Sequence, residues 1–221
     1  MVLSVSLRDI NIWLVQKARM VVYLIALLLV VVVWFSFSKN GSVDMPMSNA
    51  FGYLAFSFLS LALIVTPIRT IWPRFELNAS LYMARRAIGV SAFVFGAFHY
   101  LIQLSVNFNN DMLALFSLMF TANGTWLLVG YIAFVILFIL FATSFDLAVK
   151  KLGNHWFTLH KLVYVAYLFI FLHAYSIGVD FANGMLNAYS GSFVAIAILT
   201  LILEAVRLYV VYTKRKQEVP I

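Results

Sequence analysis

Cysteine is absent from this chain of 221 residues, and charged residues are scarce at 10%. The first absence removes disulfides, thiolate metal sites and thiol redox chemistry together, and with them any catalytic cysteine. The second, set against 64% hydrophobic residues and a mean hydropathy of +0.99, excludes a soluble domain and describes a chain that crosses a membrane several times. Proline is also rare, with four in all; Pro67 falls at the end of an apolar run, and no run is interrupted by paired glycine and proline. Carboxylates lie almost entirely outside the apolar runs, Glu204 being the exception.

What remains is six apolar segments, approximately Arg19 to Phe37, Ala50 to Ile68, Ala87 to Leu104, Trp126 to Thr143, Trp156 to Ile177 and Ser192 to Tyr212. Each is close to the ~20 residues that a spanning helix needs. The first lacks the short apolar core and small-residue cleavage pattern of a signal peptide and ends in Trp34 and Phe37, so it reads as a true span. The expected fold is all-α: one integral membrane domain over residues 1–221, a six-helix bundle.

A net charge of +7 would suggest nucleic acid in a soluble protein, but here the basic residues sit between the apolar runs, and membrane lipid is the expected partner. Arg8, Lys17 and Arg19 precede span one, while Arg69, Arg74, Arg85 and Arg86 separate spans two and three. Lys150, Lys151 and Lys161 surround the start of span five, and Lys214, Arg215 and Lys216 follow span six. The intervening loops carry Lys39 as their only basic residue, with Asp44, Asp111 and Asp180. The positive-inside rule therefore predicts that both termini are cytoplasmic.

Three of the four histidines, His99, His160 and His173, lie within or at the start of apolar runs. An ionisable residue in hydrocarbon is costly and marks function by default, and neutral imidazole is the commonest metal ligand. In the predicted orientation His99 lies ~20 Å beyond Arg85 along span three, and His173 lies ~20 Å beyond His160 along span five. His99 and His173 thus meet at one depth in the outer half, the arrangement that two axial ligands of a b-type haem require.

At the inner depth, His160 faces the level of Arg85, whose guanidinium suits a propionate or a phosphate better than iron. His160 and His173 are about 140° apart around an ideal helix, so ligation at both needs curvature or a bulge. His155 precedes the span and reads as interfacial, Arg86 as a topology marker, and Glu204 with Arg207 as a local ion pair. Gly89 and Gly96, with Ala92, leave space on one stripe of span three for close helix approach or for a flat macrocycle.

These residues carry a resemblance. Thr66-Pro67, Arg85-Arg86-Ala87-Ile88-Gly89 leading to His99, Lys151-Leu152-Gly153-Asn154-His155-Trp156, Leu159-His160-Lys161-Leu162-Val163-Tyr164 and His173 resemble the ferric reductase-like transmembrane superfamily. Within it, they are similar to the haem-binding membrane subunits of bacterial periplasmic methionine sulfoxide reductase systems. The resemblance spans runs two to five. It implies a bacterial inner-membrane, b-type cytochrome that passes electrons from a cytoplasmic flavin reductase to a periplasmic molybdopterin enzyme that repairs oxidised methionine. It also implies His99, His160 and His173 as haem ligands, Arg85 beside the inner site, one haem b or two, and an associated FMN. In that family the last histidine is usually followed by tyrosine, whereas here Ala174 intervenes before Tyr175.

Two other readings compete. A free-standing ferric reductase would use the same electron path. A histidine-dependent transporter would call for buried carboxylates, broken helices or an internal repeat, which the sequence lacks. No Gly-x-Gly-x-x-Gly run offers a nucleotide site, so either electron-transfer reading makes the chain a subunit without catalytic residues of its own, supplied by a separate reductase.

Overall fold

The computed structural model describes residues 7–38, 44–178, 181 and 188–218; Lys39 and Asp180, counted above among the loop charges, lie outside them. The described chain is helical: α1 Leu7–Phe37, α2 Met45–Ile71, α3 Asn78–Phe108, α4 Met112–Met119, α5 Thr125–Ala142, α6 Asp146–Leu152, α7 Asn154–Leu159, α8 Leu162–Ile177 and α9 Ala188–Glu218. Among the described residues six stretches are long and apolar enough to cross a membrane, the fifth being α7 and α8 together. That matches the six runs read from hydropathy.

Three local features differ from the sequence reading. Pro67 does not end its helix, since α2 continues to Ile71. The proline has no N–H to give to the carbonyl one turn back, so the helix carries on past it with one backbone hydrogen bond fewer. The connection from Ser105 to Thr125 is not simply a loop, because it contains α4. Asn109 and Asn110 adopt left-handed φ values of 48° and 64°, a conformation asparagine tolerates, and turn the chain out of α3. Asp111 then caps α4 by accepting from the Ala114 amide at 3.0 Å. Finally, the fifth span is broken at His160 and Lys161, which supplies the irregularity that an ideal helix lacks.

Packing starts from small residues. Helix α2 runs along α3, α1 covers another side of α3, α9 lies on α2, and α5 pairs with α8. Ala55 and Ala92 are buried on α2 and α3, and a Cβ at Gly96 would meet that of Ala55 at 3.9 Å, so these backbones approach closely. Between the pairs lies a core built on Phe56, Leu63, Phe93, Leu137, Tyr167 and Phe193. Phe56 stacks between Phe193 at 3.8 Å and Tyr167 at 5.0 Å, and the Tyr167 hydroxyl shares a hydrogen bond with Ser60 at 3.0 Å. The large apolar side chains of α1 and α9, Leu27, Phe35 and Leu201 among them, point outward, as a hydrocarbon solvent allows.

This inside-out arrangement generates a contrast in stability. Ala92 is fully buried, whereas Leu201 is 63% exposed. Ala92→Leu should overpack the α2–α3 contact and cost about 1–3 kcal/mol. Leu201→Ala should leave the melting temperature in detergent nearly unchanged. Thermal unfolding of the two variants beside the parent checks both, and a larger loss for Leu201→Ala would contradict the assigned packing.

Candidate functional site

His99 on α3 and His173 on α8 come together, with ring centres 6.3 Å apart and planes at 86°. Each ring is held by a carbonyl from a different helix. Nδ1 of His99 lies 2.9 Å from the Ser48 carbonyl on α2, and Nδ1 of His173 lies 2.8 Å from the Trp126 carbonyl on α5. A carbonyl only accepts, so each Nδ1 carries the proton and each Nε2 keeps its lone pair. The Ser48 side chain adds to the first anchor, its hydroxyl standing 3.1 Å from the same Nδ1 and 3.3 Å from the His99 carbonyl.

The two anchors share one construction that the sequence reading missed. Four residues after each accepting carbonyl stands a glycine, Gly52 after Ser48 and Gly130 after Trp126. On a helix these positions lie one above the other, so the missing side chain leaves a notch beside the carbonyl. A Cβ on Gly52 would sit 3.0 Å from Nδ1 of His99, and one on Gly130 would run into the ring of His173. The signal available in the sequence was the repeated spacing Ser48-x-x-x-Gly52 and Trp126-x-x-x-Gly130. It could be recognised only by knowing which helices face the histidines.

Both rings line a cavity of about 590 Å³ between α2, α3, α5 and α8. Much of its wall is apolar, from Ala55, Gly96, Phe134, Leu137 and Ile170, and Gly96 contributes the space read on span three. Gly89 takes no part, having open space where its Cβ would be. A metal held end-on between two imidazole nitrogens at about 2 Å from each puts the ring centres roughly 6 Å apart. The observed separation and the free Nε2 atoms therefore suit two axial ligands of one metal, and the apolar walls suit a flat macrocycle around it.

The remaining candidates assemble at the opposite end of the bundle. His160 sits in the break between α7 and α8, its ring stacked on Trp156 at 3.9 Å, with Nδ1 donating to the Trp156 carbonyl at 3.1 Å. Trp156 is itself fixed by donating Nε1–H to the Thr143 carbonyl at 2.9 Å. Arg85 donates Nε–H to the Ala62 carbonyl at 3.1 Å. Tyr164 donates to Glu204 at 3.0 Å, and Glu204 pairs with Arg207 at 2.6 Å, which extends the expected ion pair to a link between α8 and α9. His155 is exposed on α7.

Arg86 does more than mark topology. It pairs with Asp146, and that hydrogen bond, reinforced by the guanidinium charge, holds the Asp146 carboxyl below the usual carboxylate range. The pair is open to solvent, so its contribution to stability is small.

Comparison with known proteins defines the class. Residues 51–171 match the family described as ferric reductase like transmembrane component, and the chain belongs to that family and is a multi-pass membrane protein. It is also similar to proteins named protein-methionine-sulfoxide reductase heme-binding subunit MsrQ. The Brucella ovis protein is 32% identical over 115 residues, covering 52% of this chain and 49% of its own length. The Bordetella pertussis protein is 30% identical over 144 residues, covering 63% and 67%. The match thus spans about half the length of the Brucella relative. No solved structure matches the chain.

The notches make a prediction of sign. Gly→Ala inside a helix ordinarily stabilises by roughly 0.5–1 kcal/mol. Gly89→Ala, into open space, should follow that rule and raise the melting temperature, whereas Gly130→Ala should lower it by pushing His173 off its carbonyl. Gly52→Ala should fall between. Melting curves of the three variants suffice, and a stabilised Gly130→Ala would show that the ring does not occupy the notch.

Proposed function

We propose that this chain is a b-type haem membrane cytochrome that carries electrons from a cytoplasmic flavin reductase, across the bacterial inner membrane, to a periplasmic molybdopterin-dependent methionine sulfoxide reductase. The observation that carries the reading is the pair of imidazoles 6.3 Å apart, each with its Nδ1 proton fixed on a backbone carbonyl. The names of the relatives support the haem and the partner system, and the charge distribution of the loops supports the direction.

His99 and His173 would hold the haem iron through their Nε2 atoms. When bound, the haem supplies reversible one-electron transfer between ferric and ferrous iron. Reducing a sulfoxide to a thioether takes two electrons and two protons and releases water, so the acceptor must be served twice for each turnover. The chain's own residues set the conditions for this. Hydrogen bonds from Nδ1 to Ser48 and Trp126 fix the ring orientations and raise the basicity of each Nε2. Gly52 and Gly130 leave the rings room at their carbonyls, and the apolar part of the wall would limit the access of water to a bound group.

At the inner level His160 and Arg85 are cofactor contacts. The guanidinium favours an anionic group, either a propionate of a second haem that His160 ligates or the phosphate of an FMN. Haem content separates the sources. If His160 ligates, the loaded protein should hold two haems per chain and His160→Ala one. If the site holds FMN, His160→Ala and Arg85→Ala should lower flavin retention and leave haem unchanged.

The outer site is tested by substitution. His99→Ala and His173→Ala should each abolish the same low-spin haem signal, because one imidazole cannot hold six-coordinate iron. Both should also melt earlier than the haem-loaded parent, since a cofactor bound only by the folded bundle stabilises it. Survival of that low-spin signal in either variant would overturn the pairing. Direction is tested at Lys150 and Lys151. Reduction by a soluble flavin reductase should slow with rising salt and with Lys150→Glu/Lys151→Glu, as electrostatic steering requires. Rates indifferent to both would restrict the basic loops to setting topology.

A further inference from the structure

The cavity that holds His99 and His173 is not uniform along its depth. Around and below the rings its wall is largely apolar, with hydroxyls from Tyr53, Tyr100, Tyr131, Tyr189 and Ser190 in the lining, and among its described lining residues there is no lysine, arginine, aspartate or glutamate. At one end the lining changes to carboxamides: Asn49 on α2, and Gln103 and Asn107 on α3. Gln103 and Asn107 follow His99 at successive i+4 positions, so they stand on the histidine's own face of α3, about 6 Å and about 12 Å further along the axis. Asn49 is the residue after Ser48, whose carbonyl holds His99.

The amides are already ordered among themselves. Asn107 donates Nδ2–H to Oε1 of Gln103 at 2.5 Å, and the same nitrogen lies 3.6 Å from the sulfur of Met45. With its oxygen engaged by Asn107, Gln103 presents its NH₂ group, which can only donate. Asn107 is exposed and Gln103 and Asn49 are half-buried, so the rim lies where the cavity meets the surface.

Resting on the proposed haem at His99 and His173, we infer that Asn49, Gln103 and Asn107 form an uncharged rim that binds the two propionate carboxylates of that haem. A carboxylate cannot be seated against the apolar part of the wall without a large desolvation cost, and the Tyr53 and Tyr100 hydroxyls already donate to Ser192 and to the Met112 sulfur, so the amide end is where the propionates find donors. A carboxylate accepts hydrogen bonds only, and the Gln103 NH₂ offers donors suited to it. Because no guanidinium or ammonium stands among the described lining residues, the rim hydrogen-bonds the carboxylate charge without neutralising it. That charge favours the more positive ferric state and holds the haem's reduction potential lower than an arginine-paired site would.

The test uses full-length protein made in haem-starved cells and purified in detergent, titrated with haem b and, separately, with its dimethyl ester, in which the carboxylates are capped. Hydrogen bonds to charged groups predict that the parent prefers haem b over the ester by about tenfold or more. Gln103→Leu/Asn107→Leu should lose most of this preference while keeping the two-imidazole spectrum, which doubles as the check on folding. Gln103→Glu should weaken haem b and spare the ester, and Gln103→Arg should tighten haem b and raise its midpoint potential more than that of the ester. Equal affinity of the parent for both compounds, or a preference unchanged in the double variant, overturns the rim while leaving the haem reading intact. A two-imidazole spectrum with neither compound overturns the haem reading and the rim together.

Discussion

The structure at the candidate site depends on two hydrogen bonds, from Nδ1 of His99 to the Ser48 carbonyl and from Nδ1 of His173 to the Trp126 carbonyl. Each fixes three things at once: the tautomer, the plane of the ring, and the nitrogen left for a metal. Each also joins a histidine-bearing helix to a neighbour, α3 to α2 and α8 to α5, the same two pairs that pack most extensively. Ring geometry and helix packing are therefore a single constraint. A shift of α2 against α3 moves His99, and a shift of α5 against α8 moves His173. The glycine notches give this coupling its room, because a Cβ at Gly52 or Gly130 would crowd the ring that lies against the carbonyl.

The two ends of the bundle use polar groups differently. The His99 end has neutral donors and a cavity, whereas the Arg85 end gathers Arg85, His160, Tyr164, Glu204 and Arg207 around a break in the fifth span. Charged groups at that end are tied to carbonyls and to each other, as Arg85 is to Ala62 and Glu204 is to Arg207. Such pairing lowers the cost of placing ionisable groups near hydrocarbon. It also leaves Arg85 oriented on the level of His160, where an anion can meet it.

Much of this was legible in the sequence. Span number follows from local composition, because each helix must satisfy its own backbone in lipid and so needs an unbroken apolar run. The equal depth of His99 and His173 follows from residue counting along rigid helices, and the Glu204–Arg207 pair from i,i+3 spacing. These are properties of one helix at a time, which a linear string encodes directly.

The sequence by itself thus determined a six-helix membrane bundle and the common level of two histidines. Only the tertiary structure decided what those histidines touch. Ser48 and Trp126 lie 51 and 47 residues from their partners, and no local pattern links residues so far apart. Gly89 and Gly96 drew attention through their spacing on span three, yet Gly52 and Gly130 are the ones that meet the rings, because a glycine's role is set by what faces it. The break at His160 is likewise a feature of the folded chain, where Trp156 donates to the Thr143 carbonyl at the end of α5, a contact between two helices that no pattern within one helix encodes.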